Sequence, residues 1–378
     1  HQNIIQETLS MTNSAVGTQS FATEKAAKVG RKLRWAFIGC GGISTTHLKA
    51  IAKIPEIEVV AGCDIKPERL KLMQDEYGIK AVYEKWDDML AEIKPDVVDV
   101  CTPNGVHMPA SVAASNAGCH VIVEKPMAMT PAECQQMIDA AKAAGKLLCI
   151  GFQFRYHPNT EMFRRAFDAG EIGDILFVKC QALRRRGVPN WGVFGQKELQ
   201  GGGPMIDIGV HIMESAHYCM GEPRPVAATG NCWTYIGDRP SEVLNAWPNW
   251  DWKTFTVEDL AIGHIRFDNG AIMQVESSFC AHIEKDVFNF QIMGTKGGFN
   301  WEAATIFTDR AGTMINSKAA FLPSTEFGAL FVSKLKNFAD ACLLGTPMRA
   351  PGEAGLTVQK MIDGIYRSAE AGKEVIIA

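Results

Sequence analysis

From residue 33 onward, short runs of consecutive apolar residues alternate with longer segments whose apolar positions recur every three or four residues. The runs cover 33–38, 58–63, 97–101, 120–123 and 147–151, with 80–82 as a shorter candidate. Between them, 45–53, 67–77, 106–117 and 131–144 carry the helical spacing. Strands that are apolar almost throughout and alternate with helices point to a parallel sheet covered on both faces. The pattern predicts a doubly wound, Rossmann-type α/β domain over about 31–155.

After residue 158 the rhythm changes. A helix over 159–169 leads to a strand at 175–182, and a second helix runs from the Pro204 region to about 218. Runs at 226–233, 260–267, 271–278 and 287–293 then follow without intervening helices, and Asp268-Asn269-Gly270 reads as a hairpin turn. Successive strands of this kind predict an α+β domain, 156–378, built on a large open mixed or antiparallel sheet. Two late helices, 327–343 and 354–371, close the chain, the second returning to the first domain. A homodimer or homotetramer formed through the open sheet would cover its second face.

Composition changes this picture little. With 378 residues, 47% hydrophobic and 21% charged, the chain has ordinary globular usage, and its formal net charge of −4 calls for neither nucleic acid nor an anionic membrane. Eleven cysteines are scattered without a C-x-x-C pair, which reads as reduced thiols in a cytoplasmic protein. No apolar stretch suggests a signal peptide or a transmembrane helix. Residues 1–30 read as a small, polar, flexible segment, with Met11 as a natural start.

Candidate chemistry begins at the first strand-to-helix turn, Gly39-Cys40-Gly41-Gly42-Ile43-Ser44. A glycine-rich turn between strand and helix suits a dinucleotide: Gly39 allows the tight turn, and Gly41 lets the pyrophosphate approach the helix N-terminus. Ser44 stands where a third glycine would be usual. Asp64 closes the second strand, where a carboxylate accepts from ribose hydroxyls and repels a 2′-phosphate, so NAD is expected over NADP. Asp64 could alternatively cap the next helix. Thr102, Asn104 and His107 follow the fourth strand, and Glu124-Lys125-Pro126 the fifth, all at carboxyl ends that line such a cleft.

A second constellation is Gly201-Gly202-Gly203-Pro204-Met205-Ile206-Asp207-Ile208-Gly209-Val210-His211. Asp207 and His211, four apart on a helix, share a face, and a carboxylate beside an imidazole suits a general base. The glycines would form a floor where ligands come close. Just upstream, Arg184-Arg185-Arg186 and Trp191 offer guanidinium donors and a flat indole face for a sugar, although a solvated basic loop is the plainer reading. His211, Glu214 and His217 fall at helical spacings of three, which could suit zinc, but a six-residue separation turns His217 about 120° away from His211, so no metal is expected.

Gly39-x-Gly41, Glu124-Lys125-Pro126 and Asp207-x-Gly209-x-His211, in this order, resemble the Gfo/Idh/MocA family of glucose–fructose oxidoreductases and inositol dehydrogenases. The stretch from Gly151 through Arg155 and Tyr156 to Pro158, and Val257-Glu258-Asp259, fit its pattern too. The resemblance implies NAD as cofactor, with Gly39, Gly41, Gly42, Ile43, Asp64, Thr102, Asn104, His107, Glu124 and Lys125 around it. It implies a carbohydrate or polyol substrate among Lys125, Arg155, Tyr156, Arg184, Arg186, Trp191, Asp207 and His211. His211 would take the hydroxyl proton, supported by Asp207, with Lys125 on the nicotinamide ribose and a substrate oxygen; which of His211 and Lys125 is the base stays open. Oxidation at C3 of a glucoside is the narrower expectation. An NAD-retaining glycosidase and a non-catalytic NAD-binding sensor are the alternatives.

Overall fold

The structure is a computed structural model that describes residues 30–323 and 326–377. The predicted flexible segment 1–30 lies, apart from Gly30, outside the described residues.

The first sheet has six parallel strands: β1 (Leu33–Ile38), β2 (Ile57–Cys63), β3 (Ala81–Tyr83), β4 (Val97–Val100), β5 (His120–Val123) and β6 (Leu148–Ile150), in the order 3-2-1-4-5-6. Helices α1 (Gly42–Ile51), α2 (Pro67–Tyr77), α3 (Trp86–Ile93), α4 (Asn104–Asn116) and α5 (Pro131–Ala143) connect them. Local sequence sets their ends. Pro67 opens α2 and left-handed Gly78 follows it, while Thr130 and Glu133 form a reciprocal capping box at α5. The direction of winding reverses between β1 and β4. There Gly39, at φ +90°, lies so near the backbone of Cys101 that a Cβ would stand 2.7 Å from its carbonyl carbon.

Past a 3₁₀ turn (Gln153–Tyr156) and α6 (Pro158–Asp168), β7 (Ile175–Leu183) enters a nine-stranded mixed sheet. Its further strands are β8 (Pro225–Trp233), β9 (Leu260–Phe267), β10 (Ile272–Ser278), β11 (Val287–Gly294), β12 (Gly297–Asn300), β13 (Thr305–Arg310), β14 (Thr313–Lys318) and β15 (Val375–Ile376). The order is β14-β13-β12-β11-β7-β10-β9-β8-β15, antiparallel except for β7 with β10. The β9–β10 hairpin turns at Gly270, φ +88°. Helix α3 and strands β12 to β15 were not anticipated. Two are very short, and β13 and β14 carry too little apolar alternation to signal a buried face.

The predicted helix through Asp207 and His211 is two pieces. A single π-helical turn (Met205–Gly209) precedes the α-helix α8 (Val210–Cys219), after the short helix α7 (Lys197–Gln200). Its start is held from a distance. Glu258 accepts from the N–H groups of Gly203 at 2.8 Å and Met205 at 3.2 Å, and Tyr366 donates to the same carboxylate at 2.8 Å. A Cβ on Gly202 would collide with the Tyr366 hydroxyl, and one on Gly203 with the Glu258 carbonyl. The glycines are therefore packed against the chain's own atoms and are not a floor for ligands.

Two long helices bind the sheets together. In α9 (Phe327–Leu344), Phe331 lies 5.3 Å from the ring of His47 on α1, and Phe338 meets Trp35 of β1 edge-on at 6.0 Å. In α10 (Gly352–Ala371), Gly355 abuts Ile150, and Ile365 fills the space over Gly230 and Gly263 of the large sheet. Both helices return to the first sheet, where the sequence pattern suggested only the last.

The Glu258 cap gives a stability test. Gly203→Ala forces a Cβ onto a backbone carbonyl that cannot rotate away, and should cost about 1–3 kcal/mol. Denaturant unfolding against wild type would read it; an unchanged midpoint would show that the turn relaxes freely.

Candidate active site

The cofactor cleft is built at the winding reversal. Helix α1 begins at Gly41 and Gly42 with no side-chain cap, and a Cβ on either glycine would meet nothing within 4 Å. Open space over an uncapped helix N-terminus is what a pyrophosphate needs, because the first-turn N–H groups and the helix dipole favour an anion. Ile43 packs at the edge of the core in this first turn, and Ser44 turns its hydroxyl to the Gly41 carbonyl at 2.7 Å, so the missing third glycine leaves the helix close to the sheet. Asp64 accepts from the N–H of Cys40 at 2.7 Å and of Lys66 at 2.9 Å, which fixes its carboxylate against the glycine loop at the end of β2. The bond from Lys66 steadies the chain at the entry to α2, and the carboxylate stands at the carboxyl end of β2. Thr102, across the cleft, has a buried hydroxyl without a partner. These features fit a dinucleotide.

Lys125 follows β5, and its bond to Pro126 is cis. Its Nζ donates to Asp207 twice, to the carbonyl at 2.9 Å and to Oδ1 at 3.0 Å. An ammonium has three donors, so one remains for a ligand oxygen. Asp207 thus holds Lys125, and no hydrogen bond joins it to His211, as the i, i+4 argument had expected. The physical reason is the lysine, whose ammonium engages both the carbonyl and Oδ1 of Asp207.

His211 is half-buried. Its Nδ1 is enclosed without a partner, Nε2 is not so enclosed, and the ring meets the edge of Phe154 at 5.3 Å. Burial drives the imidazole well below its ordinary pKa, and the charge of Lys125 pushes in the same direction. The ring is therefore neutral near pH 7 and able to accept a proton.

In front of His211 lies a cavity of about 300 Å³, lined by Gln153, Phe154, Arg184, Asp286, Phe288 and Phe327 among others. Its walls combine aromatic faces with a few polar groups, a usual composition for a small-molecule site. Arg184 is half-buried, stacks on Trp247 at 4.8 Å and donates to the Gly187 carbonyl at 3.0 Å. Trp191 stands edge-on to the same Trp247 at 4.8 Å and remains 50% exposed. Arg186 points elsewhere, to the Arg185 carbonyl at 2.8 Å and His282 at 3.2 Å, and is not among the cavity residues.

Several other expected contacts are corrected by burial. Arg155 is fully enclosed, paired with Glu214 at 2.9 Å and Glu222 at 3.0 Å, and reaches no substrate. Tyr156 is buried and donates to Asn337 at 2.8 Å. His107 is buried, with its ring nitrogens 2.8 Å and 2.9 Å from the carbonyls of Pro126 and Thr102, between two cleft loops. Asn104 donates to the Gln200 carbonyl at 2.9 Å, linking α4 to the segment before the glycines. Glu124 turns inward, 2.5 Å from Lys334 and 3.0 Å from His47. Of the zinc-spaced set, Glu214 is paired with Arg155, and His217 bonds the Pro223 carbonyl at 2.8 Å. Sequence reasoning missed Phe154, Asp286, Phe288 and Phe327 because they come from three separate segments, each an ordinary apolar or turn position locally.

Comparison with known proteins places this geometry. Residues 33–152 match the family described as "Oxidoreductase family, NAD-binding Rossmann fold", and 160–300 match the "GFO/IDH/MocA C-terminal domain". The chain is 36% identical over 354 residues to the D-glucoside 3-dehydrogenase of Escherichia coli (strain K12), covering 93% of this chain and 99% of that protein. It is 29% identical over 296 residues to the levoglucosan dehydrogenase of Pseudarthrobacter phenanthrenivorans, covering 72% and 74% respectively. Among solved structures, levoglucosan dehydrogenase in complex with NADH and levoglucosan superposes with a TM-score of 0.79 at 26% identity, over 92% of this chain and all 100% of that one. An aldose-aldose oxidoreductase from Caulobacter crescentus, complexed with glycerol, gives 0.76 at 27%, again over 92% and 100%. The chain belongs to the Gfo/Idh/MocA family and is an NAD-dependent oxidoreductase.

Proposed function

We propose that the enzyme oxidises a secondary hydroxyl of a sugar, glycoside or cyclic polyol to the ketone, with C3 of a glucoside as the attacked position and His211 as the base. The observation that carries this reading is a neutral His211 on the wall of the cavity, with the Lys125 ammonium, held by Asp207, near enough for its charge to act on the imidazole. The relatives' names, D-glucoside 3-dehydrogenase and levoglucosan dehydrogenase, support net oxidation of a sugar over bond cleavage.

Gly39, Gly41, Gly42, Ile43, Asp64 and Thr102 would hold NAD, which would supply the hydride acceptor. The chain's own residues handle the proton and the charge. The free donor of Lys125 binds the reacting oxygen, and as its proton passes to His211 the ammonium offsets the growing alkoxide charge. Asp207 keeps Lys125 in place. Arg184 and Asp286 offer a donor and an acceptor for the other hydroxyls, while Phe154 and Phe288 face apolar C–H surface. Trp191 extends this wall from the rim. In this reading 31–155 forms the dinucleotide domain and 156–378 the substrate domain.

The same reading includes a homo-oligomer in the cytoplasm. Phe177, Ile272 and Met293 are neighbours in one row of the large sheet, and all are at least partly exposed, with Met293 at 54%. All eleven cysteines are unpaired thiols, which suits a reducing compartment. Among the described residues no helix is long and apolar enough to cross a membrane.

Three outcomes test these assignments. His211→Asn should lower kcat at least 100-fold, the range of a lost general base, while NADH affinity stays within about threefold; a kcat within tenfold of wild type would remove His211 from the base role. A depressed pKa leaves the histidine in its basic form down to lower pH, so the acid limb of the kcat/KM profile should fall below pH 6.5, and a limb above that value would contradict the burial argument. By fluorescence titration NADH should bind more tightly than NADPH, with Asp64→Ala narrowing the gap; a wild-type preference for NADPH would reverse the cofactor assignment.

A further inference from the structure

Behind Lys125 lies a cluster that the proposed reaction does not use. His47 of α1 bridges Asp99 of β4 at 2.8 Å and Glu124, which follows β5, at 3.0 Å. Lys334 of α9 reaches the same Glu124 oxygen at 2.5 Å, and the other oxygen accepts from the N–H of Lys125 at 3.3 Å. Trp35 donates to Asp99 at 3.2 Å, and the Cys101 thiol donates to its second oxygen at 3.3 Å. His47, Asp99 and Lys334 have 0% exposure and Glu124 has 5%. Although His47, Asp99 and Cys101 have a spacing that could hold a cation, their polar atoms already satisfy one another and Glu124.

Burial and neighbouring charge compete in this cluster. Burial opposes a charge on His47, but Asp99 leads the groups that outweigh it and raise its pKa. Burial also opposes a charge on Glu124, yet Lys334 and His47 hold it well below the ordinary carboxylate range. Glu124 thus meets both the His47 ring and the Lys334 ammonium, which are themselves 3.0 Å apart, in a site closed to water. Interior charges are costly unless paired, and such a set tolerates little displacement of any member.

Helix α9 connects this cluster to the cavity. Phe327, at its first turn, lines the substrate cavity and packs on Phe331 at 4.9 Å. Phe331 covers His47, and Lys334 ends the row. Residues 327, 331 and 334 stand four and three apart, on one helix face. Fixing Lys334 therefore fixes both the backbone of Lys125 and the wall at Phe327.

We propose that Lys334 is a positioning residue for the hydride-transfer site, acting through Glu124 on Lys125 and along α9 on the cavity wall at Phe327. The inference rests on the reading of Lys125 and His211 as the reacting pair, and it extends that site to a residue more than a hundred positions away in sequence. The groups whose charges reach His211 are Lys125, Glu124, Lys334 and Arg184; of these only Glu124 favours the protonated ring. Lys334 therefore helps to keep the base neutral without touching it.

The experiment compares full-length Lys334→Met, Lys334→Arg and the double variant Lys334→Met/Glu124→Gln with wild type, using NAD and a methyl glucoside. Lys334→Met should lower kcat tenfold or more while the NADH dissociation constant moves less than threefold. Its acid limb should shift to higher pH, because Glu124 is left unneutralised near His211. Lys334→Arg retains the charge and should keep the wild-type limb with an intermediate kcat. The double variant leaves no lone buried charge; it should fold even where Lys334→Met does not, with kcat still tenfold low and the limb near wild type. Wild-type kcat and limb in Lys334→Met, or in the double variant if the single one fails to fold, would overturn the proposal. So would a lower kcat in Lys334→Met with an unshifted limb, or one matched by an equal loss of NADH affinity. An active His211→Asn sinks the base assignment, whereas wild-type Lys334→Met beside an inactive His211→Asn sinks this inference alone.

Discussion

The bond from Lys125 to Asp207 is the constraint on which the site depends. Lys125 belongs to the parallel sheet and Asp207 to the turn that opens onto the large sheet, so this pair fixes the reacting groups of one unit against the other. Its partners are only 16% and 14% exposed, which makes the pair far less screened than a surface bridge. Removing one partner would strand a largely buried charge, and that costs more than the pair itself contributes. The geometry is thus enforced by the penalty for breaking it. Two of three ammonium donors are spent on Asp207, and the third has a defined direction because the first two are fixed.

One positive charge then has two consequences. An ammonium close to a developing alkoxide stabilises it, and the same ammonium discourages a proton on His211 in the resting enzyme. Burial adds to the second effect. In the proposed reaction, a base that is uncharged at rest and packed against Phe154 is oriented before substrate arrives. Asp207 neutralises Lys125 only in part, through one carboxylate oxygen and a carbonyl. A full bidentate pair would have left less field for either task.

The parallel sheet and its cofactor turn were legible in sequence because their signals are local. Gly39, Asp64 and Lys125 each sit at a strand's carboxyl end, and strand ends follow from apolar runs of a few residues. The hairpin at Gly270 was legible for the same reason. What the pattern could not supply was the partner of each polar group. Arg155 reads as an ordinary cation near a site motif, yet Glu214 and Glu222, dozens of positions away, draw it fully inside. Asp207 and His211 looked like a pair on a regular helix, yet Lys125, 82 positions upstream, takes the carboxylate. The glycine run looked open until Tyr366, from the other end of the chain, proved to fill the space above it.

The departures at Asp207 and at the glycine run have a common origin. Glu258 caps the turn that carries Asp207, and it is itself held by Tyr366 of α10, so the local conformation at residue 207 is decided by residues near 258 and 366. An irregular turn would not persist on propensity alone, since it forgoes regular helical bonds; it survives because distant groups satisfy the N–H groups at its start. Asp259 shows the same economy next door, where one carboxylate oxygen gathers the N–H groups of Tyr235, Ile236 and Gly237 at 2.7–2.9 Å. Adjacent acids at 258 and 259 thus anchor two irregular segments, one under the lysine clasp and the other at the base of the loop that carries Trp247. A sequence motif that resembles a binding signature is, in this protein, the support for the backbone that the binding groups stand on.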